Sequence, residues 1–324
     1  MKLQLTHETR YDYTPAVETA QHMACLRPLQ TGNQRLLSHR LIVEPPPAQL
    51  SESLDVFGNT RTFFSLQTTH KQLTITAESL VHTRKVNPVS GPAAQVSWEA
   101  CRDPFRYQAG QAYVRACEFV FGSPCAPRHQ DFLDYARPSF APGMPMLTAV
   151  GDLMGRIHAD FRYAPQSTEV NTPAQEALAL RKGVCQDFAH VMIACLRSMG
   201  LPARYVSGYL LTEPPEGQQR LIGADASHAW VSVYVPGPKP SQRTGDSANS
   251  STTSGTWVDF CPTNNRCGTG SPGEDYVTLA WGRDYADVSP MRGMIHGGAH
   301  HVLHVGVTVQ PVADDKGLRP ILNH

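Results

Sequence analysis

The sequence has no surplus of charge of either sign. Lys plus Arg and Asp plus Glu each number 28 over 324 residues, and charged residues make up 17% of the chain, below the roughly 25% typical of soluble domains. Binding to a nucleic-acid backbone usually leaves a basic surplus or basic blocks, whereas the basic residues here form nothing denser than pairs such as Arg181-Lys182. The composition therefore argues against a nucleic-acid partner.

Long apolar runs are also missing. A membrane-spanning helix needs about 18 or more consecutive apolar residues, and the longest apolar run in the helical part of the chain extends only from Val191 to Leu196. The first residues, MKLQLTHETRYDY, carry one Lys and lack the apolar segment of a secretory signal. These absences predict a protein that has no membrane partner and is cytoplasmic.

The cysteines and histidines form no familiar metal-binding motif. Eight Cys residues are scattered without C-x-x-C pairs, which fits reduced thiols better than a disulfide framework or a zinc site. The late histidines surround a Gly-rich GGAHH stretch without Cys or carboxylate beside them, and no calcium loop of the D-x-D-x-D-G kind occurs. We expect neither a metal nor another cofactor.

A β pattern fills the first part of the chain. From residue 1 to about 85, apolar and polar positions alternate between Pro and Gly turns, as at Leu73, Ile75 and Ala77, and such alternation is typical of half-buried strands. The segment Asp55–Asn59 lies between two of these runs. Because Gly and Asn tolerate positive φ, we expect a tight turn there with a purely structural role.

Helices and strands both occur after Pro88. Apolar residues at helical spacing between Leu147 and Ile157 predict an amphipathic helix. Period-two patterns predict further strands at 203–211, 227–235, 256–261 and 301–312. Residues 236–255 are rich in Pro, Gly, Ser, Thr and Asn and contain no aliphatic side chain larger than Ala, so their composition predicts a flexible insert.

One thiol lies at a predicted helix start. A capping pattern at Thr172-Pro173 begins a short helix that is expected to end at Gly183, and the apolar spacing from Cys185 onward predicts a second helix up to Gly200. A thiol in the first turn meets free N–H groups and the positive end of the helix dipole, which favour the thiolate. Taken alone, the position is weak evidence for a nucleophile, because Cys is often simply a small core residue.

A histidine opens one of the predicted strands. In the strand 227–235, His228 and Trp230 share one face while Ala229 and Val231 share the other. A His at this place can act as a base toward a thiol, although a structural role would place it there as well.

Several segments together resemble the bacterial transglutaminase-like family. The N-terminal stretches are similar to the N-terminal β domain of that family, and the resemblance covers nearly the whole chain apart from the insert and the last dozen residues. The segments that carry it are TRYDY, HMACLRPLQ and DVFGN, followed by GVCQDFAHVMIACLRSMGLPARYVSGYL, ADASHAWVSVYVPG, TWVDFCPTNN and WGRDYADVSPMRG.

The resemblance implies a fold and a domain order. We expect an α+β protein in which a papain-like transglutaminase core, residues 88–290, follows an N-terminal antiparallel β-sandwich-like domain, residues 1–87. A C-terminal strand and tail, residues 291–324, is expected to pack back onto one of the two.

The resemblance also implies a catalytic set. Cys185 matches the nucleophile and His228 the base, and the backbone N–H of Cys185 is a candidate oxyanion donor. The family's third member is an Asp four residues after a Trp and directly before Pro-Thr, but here the residue four after Trp257 is Cys261.

The third position therefore has several candidates. Asp259 lies two residues earlier, about 6.6 Å along the strand, and would need a bulge to reach the imidazole. The other candidates are a thiolate at Cys261, an amide at Asn264 or Asn265, or no orienting group.

Two functions follow as expectations. The first is acyl transfer or hydrolysis at a protein or peptide amide through a thioester on Cys185, with water or an amine as acceptor. The second, motivated by Cys261, is a catalytically impaired family member that binds a peptide or protein in the same cleft. The sequence leaves the oligomeric state open.

Overall fold

The computed structural model describes residues 1–312 except 86, 89, 91, 111–112, 166, 213–226, 238–254 and 299. The insert predicted over 236–255 lies, apart from its ends, outside the described residues. Within the described part of the chain, no helix is both long and apolar enough to cross a membrane.

The described residues form fourteen strands and six α-helices. The strands are β1 Lys2–Ala24, β2 Gln34–Glu44, β3 Gln49–Leu54, β4 Thr60–Leu66, β5 His70–Thr83, β6 Arg162–Tyr163, β7 Lys182–Gly183, β8 Ala203–Leu210, β9 Ser227–Val235, β10 Thr256–Cys261, β11 Arg266–Thr269, β12 Tyr276–Gly282, β13 Met291–Gly297 and β14 His300–Pro311. The helices are α1 Trp98–Arg102, α2 Gln130–Ala136, α3 Met146–Asp160, α4 Ala174–Leu180, α5 Cys185–Ser198 and α6 Tyr285–Val288.

The first sheet is built around the long strand β1. Its strands run in the order β2-β5-β1-β4-β3, and β13 and β14 also pair with β1. The first half of β1 lies between β5 and β14, whereas the second half lies between β4 and β13. Because the neighbours change where the register shifts near Val17, the sheet curls around its middle strand.

The second sheet forms the α+β core. Five antiparallel strands run in the order β11-β10-β9-β8-β12, and α5 packs against β9 and β8. Ala229, Val231 and Val233 of β9 belong to the apolar cluster that surrounds α5, whereas Trp230 belongs to a smaller cluster on the opposite face. The period-two alternation of β9 therefore separates a helix-covered face from a face that carries polar and aromatic groups.

The expected fold class is confirmed, with an N-terminal unit that is one curled antiparallel sheet. The strand expected at 301–312 is β14, and together with β13 it completes the N-terminal sheet by pairing with β1. The helix before Cys185 ends at Leu180 rather than Gly183, because Arg181 adopts a left-handed conformation with φ 51°. Strand β12 was not predicted.

The turn at 55–59 connects the two sheets. The Asp55 carboxylate accepts hydrogen bonds from the backbone N–H groups of Phe57 and Asn59, and Gly58 has φ 87°, so the expected tight turn is present. The Asn59 side chain then bonds both backbone groups of Trp281 in β12, and the Trp281 indole donates to the Phe57 carbonyl. The turn thus holds the N-terminal sheet against the core.

Candidate active site

The backbone before α5 positions the thiol at the helix start. The Asp187 carboxylate accepts hydrogen bonds from the Val184 N–H at 2.8 Å and from the Thr168 hydroxyl at 2.7 Å. A Cβ at Gly183 would collide with that carboxylate, which explains glycine at this position. The cap makes Cys185 the first residue of α5.

The Cys185 sulfur lies against the backbone of β9 on either side of His228. It is 3.9 Å from the Ser227 carbonyl oxygen, and the Ala229 N–H is a hydrogen-bond donor to it. Burial raises the pKa of Cys185 to about 11, although the N–H groups of Ala229 and Gln186 act to lower it. The helix start thus acts in the expected direction, toward the thiolate, while desolvation of the thiol acts against it.

His228 lies buried at the beginning of β9. Its Nε2 is 3.2 Å from the Cys261 sulfur and 3.4 Å from Nδ2 of Asn264. Burial lowers the pKa of His228 to about 4, so the imidazole is neutral near pH 7. In the described part of the chain no hydrogen bond joins His228 to Cys185, and catalytic hydrogen bonds are often formed only once substrate is bound.

Strand β10 decides which residue faces the imidazole. It pairs with β9 in an unbroken register, from Thr256 opposite Val235 to Phe260 opposite Val231. Without a bulge, the end of the strand brings Cys261 to the imidazole. The structure therefore places Cys261, and not Asp259, beside His228.

The Asp259 carboxylate makes its hydrogen bond to Trp230 and not to the imidazole. Its Oδ2 accepts a hydrogen bond of 2.9 Å from the Trp230 indole, and the residue is buried. Burial raises the pKa of Asp259. Of the two amides considered for the third position, Asn264 reaches the imidazole, whereas Asn265 makes no hydrogen bond to His228 among the described contacts.

Hydrogen-bond donors surround the Cys261 sulfur. The Tyr276 hydroxyl and the backbone N–H groups of Thr263 and Asn264 act to lower the pKa of Cys261, although burial raises it overall. The Asn264 amide also donates to the Tyr276 hydroxyl at 2.9 Å. This donor set is suited to an anion, which is what the Asp of the resembled family would supply.

Tyr276 is the member of this site that sequence reasoning missed. It belongs to β12, and in the sequence of this strand, YVTLAWG, apolar and polar residues do not alternate regularly. Because that strand pairs with β8 and not with a neighbour in sequence, its place beside Cys261 depends on the completed sheet.

Two family descriptions match this chain. Residues 3–82 match the bacterial transglutaminase-like N-terminal region, and residues 134–261 match the transglutaminase-like superfamily. The second range contains Cys185, His228 and Cys261.

Individual proteins are similar as well. An uncharacterized protein of Mycobacterium tuberculosis strain H37Rv is 39% identical over 318 residues, which are 97% of this chain and 94% of that protein. A protein-glutamine gamma-glutamyltransferase of Pseudomonas aeruginosa is 31% identical over 113 residues, 34% of this chain and 17% of that protein.

A solved structure shares the fold. It is described as a "putative cysteine protease" from Cytophaga hutchinsonii, and it aligns with 97% of this chain and 92% of its own, with a TM-score of 0.64 and 21% identity. At that identity the likeness is one of fold.

Proposed function

Because this chain belongs to the bacterial transglutaminase-like family, we propose that it is a thiol enzyme that transfers the acyl group of an amide to water or to an amine. The observation that supports this most is the 3.2 Å contact between His228 Nε2 and the Cys261 sulfur. Cys261 thus lies at the imidazole nitrogen that the third member of a catalytic triad would hold in place. The Cys185 sulfur contacts the backbone on both sides of the same histidine.

The reaction uses the two nitrogens of His228 for different tasks. Nε2 faces Cys261, so Nδ1 is the nitrogen that takes the proton from Cys185. The sulfur attacks the amide carbonyl, the Cys185 N–H at the start of α5 stabilises the oxyanion, and the C–N bond breaks as His228 returns the proton to the leaving amine. Water or a second amine then attacks the thioester and releases Cys185.

The tautomer of His228 limits this mechanism. Nδ1 accepts a proton only when the hydrogen is on Nε2, and a carboxylate acceptor at Nε2 enforces that arrangement. A thiol can donate as well as accept, and the Asn264 amide, 3.4 Å away, is another donor toward Nε2. The Cys261 site therefore fixes the reactive tautomer less firmly than a carboxylate would.

The resting state is uncharged. The pKa of Cys185 is raised to about 11 and that of His228 is lowered to about 4, so thiol and imidazole are both neutral at pH 7. The proton must therefore move during attack, rather than beforehand as in a preformed thiolate–imidazolium pair. This predicts a slow enzyme, or one whose substrate changes the solvation of the thiol.

The acyl donor we propose is an amide of a protein or peptide, and a glutamine side chain is the specific candidate. The support for glutamine is the similarity of 113 residues to the Pseudomonas aeruginosa protein-glutamine gamma-glutamyltransferase. A cytoplasmic location remains a prediction from the sequence.

The second function is an impaired family member that binds a peptide or protein in this cleft. It is favoured by the thiol at the third position and by the low pKa of the buried His228. Both functions use the same surface, so only catalysis separates them.

The deciding experiment compares turnover of p-nitrophenyl acetate and incorporation of a fluorescent amine into a glutamine peptide. We expect the parent to exceed Cys185→Ala in both assays, and the exposed Cys267→Ala variant, the matched thiol control, to equal the parent. If the parent equals Cys185→Ala, and Cys261→Asp is equally inactive, the enzyme is excluded. Retained peptide binding would then support the second function.

A further inference from the structure

A large cavity lies where the turn at 55–59 meets the core. Its volume is about 940 Å³, which is within the range of pockets for small organic ligands. The wall combines Phe57 of the turn, Phe119, and aromatic residues from the ends of three core strands, Tyr234, Trp257 and Trp281. Neither Cys185 nor His228 lines it.

One cation lies in this aromatic wall. The guanidinium of Arg204 is sandwiched between the rings of Trp257 and Trp281, 4.0 Å and 3.9 Å from their centroids. The residue is only 8% exposed. Stacking on both faces leaves the N–H groups, which lie in the guanidinium plane, as the only polar edge of the group.

The N–H groups of Arg204 have no acceptor within the described part of the chain, and its Nε is buried without a partner. The other deeply buried arginine shows the contrast. Arg197 donates to the carbonyls of Phe119, Ala203 and Arg283 and to the Ser123 hydroxyl. Buried donors are nearly always satisfied in this way, so an arginine without acceptors indicates a missing partner.

The group is charged. Burial lowers the pKa of Arg204 to about 9, and the field of Asp259 acts in the opposite direction, so the guanidinium is cationic at pH 7. Asp259 makes no direct ion pair with Arg204 among the described residues: its Oδ2 accepts from the Trp230 indole, and its Oδ1 is buried without a hydrogen-bond partner there.

Of the other charged residues that line the cavity, Arg283, Asp287 and Glu118 have hydrogen-bond partners, whereas the Arg115 side chain makes no hydrogen bond or ion pair among the described residues. Arg283 binds both oxygens of Asp287, and Glu118 accepts a hydrogen bond from the Tyr113 hydroxyl. An incoming anion would therefore meet Arg204 as a desolvated cation whose donors are unused, surrounded by ring surfaces.

We propose that this cavity binds a small aromatic carboxylic acid, whose carboxylate pairs with the N–H edge of Arg204 while its ring packs against Phe57 and Phe119. A guanidinium matches a carboxylate with two parallel N–H···O bonds. The Phe57 and Phe119 rings are 5.6 Å apart, and Phe119 meets Trp257 edge-on at 5.4 Å, so the wall accepts a flat apolar body. The site does not depend on the proposed function.

The test uses calorimetric titration of the full chain with phenylacetate, phenylacetamide and inorganic phosphate. We expect phenylacetate to bind at least tenfold more tightly than phenylacetamide, because only the acid forms a charge-assisted pair. Equal affinity of acid and amide, or no binding of phenylacetate, would overturn the proposal. Phosphate binding as tightly as phenylacetate would also overturn it in favour of a general anion site.

Variants locate the site. Arg204→Met should lower the affinity for phenylacetate at least tenfold, and unchanged affinity in a folded variant would refute the assignment. If Arg204→Met does not fold, two variants at Val56 test the site instead. Val56 lines the cavity and is 78% exposed, so Val56→Glu should weaken phenylacetate binding severalfold by repulsion, whereas Val56→Gln should not. Equal affinity of these two variants would contradict the proposed site.

Discussion

Each end of one face of the core sheet holds a buried polar side chain without its usual partner, and the two ends differ in the groups that surround that side chain. At the thiol end, formed by Cys185, His228, Cys261 and Tyr276, the imidazole meets a sulfur where the family resemblance implies a carboxylate. At the arginine end, formed by Arg204, Trp257 and Trp281, a guanidinium meets ring faces and, among the described residues, no acceptor.

The two ends differ in the hydrogen-bonding groups that the protein supplies. At the thiol end the protein itself offers donors around the unusual residue, from Tyr276 and two backbone N–H groups. At the arginine end the described residues offer ring faces and no acceptor, and this is where the proposed carboxylate ligand would bind. Trp257 and Cys261 are about 13 Å apart along β10, and the Trp230–Asp259 hydrogen bond lies between the two ends.

Replacing Cys261 should have the largest effect. In Cys261→Asp a carboxylate would accept from Nε2 of His228 and fix the reactive tautomer, so we expect ester turnover to rise at least tenfold. Loss of the corresponding Asp in the serine triad costs roughly 10⁴ in kcat. The pH–rate profile should also change, because a carboxylate raises the pKa of His228 above the present value of about 4.

The matched control is Cys261→Asn, which has the shape of Asp without its charge and should not activate. Activation by both variants would mean that size, rather than charge, limits the parent.

The second prediction concerns alkylation of Cys185. Since burial raises its pKa to about 11, the thiolate fraction should increase about tenfold for each pH unit between 7 and 10. We therefore expect the iodoacetamide rate at Cys185, followed by mass spectrometry, to rise with that slope. A rate that is independent of pH from 7 to 10 would reveal a preformed thiolate.

The third prediction compares two buried arginines. Arg197→Met leaves the carbonyls of Phe119, Ala203 and Arg283 without their donor, so we expect the free energy of unfolding to fall by about 3–5 kcal/mol. Arg204→Met removes no hydrogen bond within the described residues and should cost less, about 1–2 kcal/mol from the lost cation–π contacts.

Urea unfolding of both variants checks this comparison. If Arg204→Met is as costly as Arg197→Met, the guanidinium of Arg204 has partners within the protein, which would contradict anion binding at the arginine end.

The smallest effect is expected at Asp259, between the two ends. Asp259→Asn keeps an oxygen that can accept from the Trp230 indole, so we expect ester turnover within twofold of the parent. Burial raises the pKa of this carboxyl whereas the field of Arg204 acts to lower it, so loss of the charge has opposing effects on stability, and ester turnover is the quantity that tests the prediction. A large loss of turnover would show that Asp259 reaches His228 during catalysis.

Much of the site could be predicted from local patterns. The helix from Cys185 was visible in its apolar spacing, and the strand that begins near His228 was visible in its alternation. Alternation also placed Asp259 and Cys261 on one face, but it left open which of them meets the imidazole. The sign of the Cys185 pKa shift was not accessible, because desolvation depends on packing by distant parts of the chain.

By itself, the sequence determined the family, the fold class and which side chains share a face, since the repeats of 3.6 and two residues are properties of neighbouring positions. Only the tertiary structure decided which of these side chains contact one another. The unbroken register of β9 with β10 brought Cys261 to His228, and the pairing of β12 with β8 brought Tyr276 to Cys261 and Trp281 to Arg204. Register between strands far apart in sequence is set by the packing of the whole sheet, so no local pattern contains it.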